Sequence, residues 1–282
     1  MKTLLLLLLP VVLSGCSTVG LFLANLPARL GETQISSAIT YDSVTGQQLD
    51  IYVPTKERAG PHPVIVFAYG GRWQSGSREE YAFVGHSFAK RGYVVVIPDY
   101  RQYPAIRFPA FVEDVAAATA WTTRNIASYG GDPDQLNLIG HSAGAQIMAL
   151  IAADPRYLKA HNLDSRITVR RVVGLSGPYD FIPEAEDVRA IFPPESYHDM
   201  KVTSFITGKE SPMLLLHGDD DTAVATYNHA RLAKKILTTG GQVKVITYPK
   251  IDHIWIIGAL TWFSPHGSRI IEDIDQFLAT PN

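Results

Sequence analysis

The chain has 282 residues, a length that fits one large domain or two small ones and suffices to bury a substantial core. Hydrophobic residues make up 46% and charged residues 18%, a balance that excludes a solvated, disordered chain. The formal net charge is −2 and no long basic run occurs, which argues against nucleic acid as a partner.

The first stretch, "MKTLLLLLLPVVLSGCSTVG", sets Lys2 ahead of an apolar run, Thr3 to Leu13, too short for the roughly 20 residues that a spanning helix needs. It reads as a signal peptide over residues 1–15. The run ends in "LSGC", which resembles the lipobox of bacterial lipoproteins. That resemblance implies cleavage before Cys16, lipidation of Cys16 as the mature N-terminus, and export to a membrane that holds the anchor. Ser17 implies, by the same resemblance, the outer membrane of a Gram-negative cell. An ordinary signal peptide with an incidental cysteine is the alternative. Cys16 is the only cysteine, so no intramolecular disulfide can form.

Residues 16–33 read as a linker and 34–282 as one domain. Within that domain "QLDIYVP", "HPVIVFAYG", "GYVVVIPDY", "QLNLIG", "RRVVGLSG", "PMLLLHG" and "QVKVITYP" are short runs rich in Val, Ile and Leu, bounded by Gly or Pro. Several are continuously apolar, as strands buried on both faces of a parallel sheet require. Between them the pattern predicts helices near Glu79–Arg91, Phe108–Tyr129, Ser142–Ala153, Ala225–Thr239 and Pro265–Leu278. Strands alternating with helices predict an α/β fold, a mostly parallel sheet with helices on both faces. One connection is longer than a simple crossover. Residues Asp180 to Ser211 are loaded with Pro and aromatics and read as a lid or binding segment.

At "LNLIGHSAGAQIMAL" a strand gives way to a helix through Gly140-His141-Ser142-Ala143-Gly144. A serine hydroxyl attacks only if a base takes its proton and if it projects where substrate can reach it. A sharp strand-to-helix turn achieves the projection but crowds the backbone, so small residues must flank it. Gly140 and Gly144 supply them, and the helix beginning there aims N–H groups at a developing oxyanion. This is the G-x-S-x-G nucleophile elbow in the context the motif demands.

With "YGGRWQSGS", "IPDYRQYP", "FPAFVEDV", "YGGDPDQLNLIGHSAG" and "LLLHGDDDTAV" in this order, the chain resembles the α/β-hydrolase fold carboxylesterases and lipases, closest to the hormone-sensitive-lipase-like group and its small bacterial relatives. The resemblance runs from about Gln48 onward. It implies a Ser–acid–His order along the chain, so the base must lie well beyond Ser142. Of nine histidines, His141, His217 and His229 are placed in the elbow, a strand end and a helix, and His253 and His266 are the candidates for the base. His253 follows the last strand, where the family carries its base, and is preferred. The family pattern H-G-x-x-D-x-x-V selects Asp221, leaving Asp219 and Asp220 as loop residues. Asp252 is the rival, badly placed beside His253 to reach its ring. By analogy the backbone N–H groups of Gly71, Arg72 and Ala143 form the oxyanion hole. Here the chain departs from the family: Tyr69 stands where His is usual and Arg72 where a third glycine or alanine is.

Asp99 and Arg101 are expected to fix loops, and Asp132-Pro133 to form a turn before the elbow strand. Trp73, Tyr103, Phe192 and Trp255 are candidates to line an acyl pocket. No metal-ligand spacing such as H-E-x-x-H occurs, no dinucleotide or phosphate loop follows a strand, and no cofactor is expected. The resemblance implies a serine hydrolase that cleaves carboxylic esters of small molecules, and a lid no larger than the Asp180 to Ser211 connection predicts a short, fairly open acyl pocket. Alternatives are a formamidase-like or peptidase-like amide hydrolase, a relative of the isoprenylcysteine methylesterases, and a surface lipoprotein that uses the fold as a binding scaffold.

Overall fold

The computed structural model describes residues 20–280 except 32, 57, 265 and 266. The expected signal peptide, Cys16 and His266 therefore lie outside the described residues. Eight strands form one sheet: β1 (Gln34–Asp42), β2 (Gln47–Val53), β3 (His62–Ala68), β4 (Val94–Pro98), β5 (Gly131–His141), β6 (Arg171–Leu175), β7 (Met213–Gly218) and β8 (Val243–Tyr248). Their spatial order is β1-β2-β4-β3-β5-β6-β7-β8. The pairs β1/β2 and β2/β4 are antiparallel and every later pair is parallel.

Side chains alternate across a strand, so unbroken burial along β4, β6 and β7 means that both faces of the sheet are covered. The covering helices are Ala82–Ala89, Ala110–Asn125, Ala143–Ala153, Tyr227–Thr238 and Gly267–Ala279; the first four lie inside stretches the sequence predicts as helical, and the last runs one residue past its expected end at Leu278. The expected α/β architecture is the one observed.

Three local features differ from the sequence reading. The strand β1 falls in "QISSAITYD", whose side chains are exposed or only half-buried, so it carries neither an apolar run nor a clean alternation. It closes one edge of the sheet. The turn expected at Asp132-Pro133 sits inside β5 as a bulge, where the register against β3 shifts between Pro63 and Val64. There Asp132 accepts from the Asp134 N–H at 3.0 Å and from the Gln135 side chain at 2.8 Å.

The described part of the expected linker is packed on the body. The short helix Leu26–Arg29 lies against the Ala82–Ala89 helix, with Ala24, Asn25 and Ala28 buried. The amide of Asn25 donates to the carbonyls of Glu80 at 3.0 Å and Glu79 at 3.3 Å, while its oxygen accepts from the Phe83 N–H at 2.7 Å. Asn25→Ala would leave the buried Phe83 N–H and the two partly buried carbonyls without this partner and is expected to cost about 2 kcal/mol, read as a lower urea midpoint. An unchanged midpoint would mean that this segment is not part of the cooperative unit.

Candidate active site

The parallel strands carry their C-terminal ends to one rim, and the chemistry collects there. Ser142 directly follows β5 and precedes the Ala143–Ala153 helix, with φ 53° and ψ −121°. For a non-glycine residue this is a sparsely populated conformation that costs on the order of 1–3 kcal/mol. Two close approaches hold it. A Cβ on Gly140 would fall 2.3 Å from the Gly144 carbonyl oxygen, and one on Gly144 would fall 2.1 Å from the Ala68 carbonyl oxygen. Only hydrogen fits at both positions. The Ser142 N–H donates to the Leu175 carbonyl at 2.8 Å, which ties the turn to β6.

His253 Nε2 stands 2.9 Å from Ser142 Oγ, and His253 Nδ1 stands 2.8 Å from Asp221 Oδ2. The carboxylate can only accept, so Nδ1 carries the proton and the bare Nε2 faces the hydroxyl. The other oxygen of Asp221 accepts from the N–H groups of Ala223 and Val224, both at 2.9 Å. Burial alone would raise the pKa of this carboxyl. The hydrogen bond from His253 and that from Val224 outweigh it and hold Asp221 at about 2, ionised over the whole working range.

The rival acids are turned elsewhere. Asp252 accepts from the N–H groups of Ile254 at 2.9 Å and Trp255 at 2.7 Å, capping the turn after the histidine. Asp219 accepts from the Lys250 N–H at 2.5 Å. The sequence reading missed His141. Its Nε2–H donates to the His253 carbonyl at 3.0 Å, so a residue of the elbow braces the loop that carries the imidazole. No sequence signal marks this, because the acceptor is a backbone oxygen 112 positions away.

Gly71, Arg72 and Ala143 line the cleft together with Ser142 and His253. Arg72 has φ 55° and Trp73 φ 61°, so the loop after β3 doubles back tightly. Tyr69, in the position usually held by histidine, supplies a different scaffold for that loop. Its ring stacks on Tyr100 and Tyr81, with centroids 4.6 and 5.5 Å away, and its hydroxyl donates to Asp99 at 3.1 Å. Asp99 also accepts from the Arg78 N–H at 2.8 Å and pairs with the Arg78 guanidinium, which reaches Asp50 at 2.9 Å. Asp99 thus fixes a loop as expected, and Arg101 does so through a fork onto buried Asp114. The Arg72 side chain pairs with Asp187 of the Glu186–Ile191 helix at 2.6 Å, in the open.

That helix belongs to the long connection, which forms a wall pinned to the body. Gln146 donates to the Met200 carbonyl at 2.7 Å, the Phe108 N–H to the Ile191 carbonyl at 3.1 Å, and Ile191, Phe192, Met200 and Val202 are buried. Phe181, Ile182 and Val188 face a cleft of about 640 Å³ that Ser142 and His253 also line. Of the four aromatics proposed for a pocket, Trp73 lines the cleft. Phe192 sits behind it, edge-on at 4.7 Å, and Tyr103 and Trp255 are outside the lining.

An eight-stranded, mostly parallel sheet with a serine on the turn from β5 into a helix defines the α/β-hydrolase class. By sequence the chain belongs to the BD-FAE family, whose model matches residues 49–236. It is similar to the esterase LipC of Mycobacterium tuberculosis, at 30% identity over 76% of this chain and 58% of that protein. It is also similar to the isoprenylcysteine alpha-carbonyl methylesterase of Arabidopsis thaliana, at 26% identity over 78% of this chain and 56% of that protein. The chain spans about half the length of the curated relatives it matches. Among solved structures, a truncated carbohydrate esterase from gut microbiota superposes with a TM-score of 0.76 at 21% identity, over 87% of this chain and 95% of that one. Esterase 2 of Thermogutta terrifontis superposes with a TM-score of 0.72 at 22% identity, over 89% and 97%.

Three histidines around the site are driven to the neutral form, chiefly by burial and further by a neighbouring imidazole: His141 to about 3, His229 to about 4, and His217 also downward. Their unfolded value is 6.5, so below it the unfolded chain binds more protons than the folded one. Stability is therefore expected to fall as pH drops from 6.5 towards 4 and to be indifferent to these groups above 6.5. Melting temperatures measured across that window test it, and a flat profile would show that the three imidazoles are protonated in the folded protein.

Proposed function

We propose that the chain is a serine carboxylesterase working through Ser142, His253 and Asp221. The observation that carries the reading is the unbroken relay from Ser142 Oγ to His253 Nε2 at 2.9 Å and from His253 Nδ1 to Asp221 at 2.8 Å, opening onto one cleft. His253 Nε2 takes the Ser142 proton as Oγ bonds the acyl carbon, and the carbonyl electrons move onto oxygen. The N–H groups of Gly71, Arg72 and Ala143 receive that oxyanion. The electrons then return, the C–O bond to the alcohol breaks, and His253 gives its proton to the leaving oxygen. Water, deprotonated by the same nitrogen, repeats the sequence and frees the acid. Relatives named esterase and methylesterase support ester hydrolysis as the reaction.

Ser142→Ala and His253→Ala are each expected to lower kcat by about 10⁵ to 10⁶, with the double variant little worse, because the two groups act as a unit. Asp221→Asn is expected to cost less. Arg72→Ala keeps the N–H and loses only an exposed, solvent-screened ion pair, so its turnover stays within a few-fold. Steady-state kinetics on a p-nitrophenyl ester decide this, and a mild His253→Ala would remove it as the base.

A short acyl chain fits the cleft best. Each buried methylene contributes about 0.8 kcal/mol, roughly fourfold in kcat/KM, until the apolar wall of Trp73, Phe181 and Val188 is covered. Activity is expected to rise from acetate to about hexanoate and then fall steeply. A maximum on emulsified long-chain triglyceride would contradict this.

The reading includes an exported protein with a lipid on Cys16, and "LSGC" is its support. Cys16→Ser is then expected to release or mis-process the protein, since stable attachment needs two or more acyl chains. Mass spectrometry that finds a free mature N-terminus at another residue would remove the anchor from the account.

A further inference from the structure

A cluster of large apolar side chains stands exposed where the described chain begins. Phe22 is 49% exposed, Leu23 41%, Trp262 62% and Phe263 41%, though the two pairs lie at opposite ends of the sequence. They form one surface: the indole N–H of Trp262 donates to the Leu23 carbonyl at 2.9 Å, and Phe263 meets Trp262 edge-on at 5.3 Å. Cations border it. The Arg29 guanidinium lies over the Phe22 ring at 5.2 Å, and exposed Lys90 and Arg91, the latter 3.3 Å from Asp275, share a surface depression with Trp262. Asn25 clamps this face to the body through the carbonyls of Glu79 and Glu80, one residue from Tyr81, which lines the catalytic cleft.

We propose that this aromatic face is a bilayer-docking surface, seated in the headgroup region of an anionic membrane with Arg29, Lys90 and Arg91 against the phosphates. The proposal rests on the reading of Cys16 as an anchor. From Cys16 to Gly20 four residue steps reach at most roughly 14 Å, so the body meets the bilayer at whatever surface adjoins Gly20. Phe22 and Leu23 are that surface. Exposed Trp and Phe side by side fit the interface between headgroup and acyl chain, where an amphipathic ring has both solvents. A bordering set of cations adds attraction to anionic lipid, and one further contact turns a swivelling tether into a fixed orientation.

The test uses the full chain, as exported, reconstituted into vesicles of phosphatidylethanolamine and phosphatidylglycerol with brominated acyl chains. Tryptophan emission is compared between wild type and Trp262→Phe, with acrylamide as the aqueous quencher and the N-terminal mass measured on the same preparation. The expected result is that brominated lipid quenches the share of emission that Trp262→Phe lacks, and does so less when phosphatidylglycerol is omitted. If that share resists brominated lipid yet yields to acrylamide, the face points to water and the proposal fails. If it resists both, residues 1–19 or a second copy cover the face, and the proposal fails equally. Acylated Cys16 with an unquenched Trp262 leaves the anchor standing and overturns the docking. Quenching with Cys16 unmodified keeps the docking and removes the anchor.

Discussion

The site depends on a serine held at φ 53° between two backbone approaches that leave room only for hydrogen. Gly140 admits the Gly144 carbonyl and Gly144 admits the Ala68 carbonyl, so strands β3 and β5 and the following helix are drawn together at one point. That closeness brings Gly71, Arg72 and Ala143 to the same cleft as Ser142. It also sets the elbow's own His141 against the loop that carries His253. The residues proposed as nucleophile, base and oxyanion donors are therefore positioned by one packing constraint. The strain at Ser142 is offset by the core around it, since the Ala143–Ala153 helix is buried along its whole length.

Departures from the family pattern are absorbed by substitution of one network for another. Tyr69 gives the loop after β3 an aromatic stack and a hydroxyl on Asp99. Asp99, Arg78 and Asp50 extend it into a chain of charge-assisted hydrogen bonds that are largely shielded from water. Arg72 keeps the one feature proposed for the reaction, its N–H, and spends its guanidinium on Asp187 in the cleft wall.

Much of this was legible in the sequence because it is locally encoded. Runs such as "HPVIVFA" and "MLLLHG" are buried on both faces, so hydrophobicity alone marks them. The elbow is a five-residue pattern at a strand-to-helix change, and Asp221 and His253 each follow a strand. What was hidden depends on partners far along the chain. The edge strand β1 has no apolar signature, because its side chains stay exposed or half-buried. Docking of Asn25 and bracing by His141 both end on distant backbone atoms, which no residue type announces. Length revealed the Asp180–Ser211 connection, but its role as a pinned wall follows from Gln146 and Phe108 reaching it from the body.

The central claim is that Ser142 is an activated nucleophile, and an unactivated serine does not react with a fluorophosphonate. Labelling the folded protein with such a probe and mapping the adduct by peptide mass spectrometry therefore tests the account most directly. The account predicts one equivalent per chain, on Ser142, with labelling abolished in the His253→Ala protein. An unlabelled wild-type chain, or an adduct on any other residue, would contradict it.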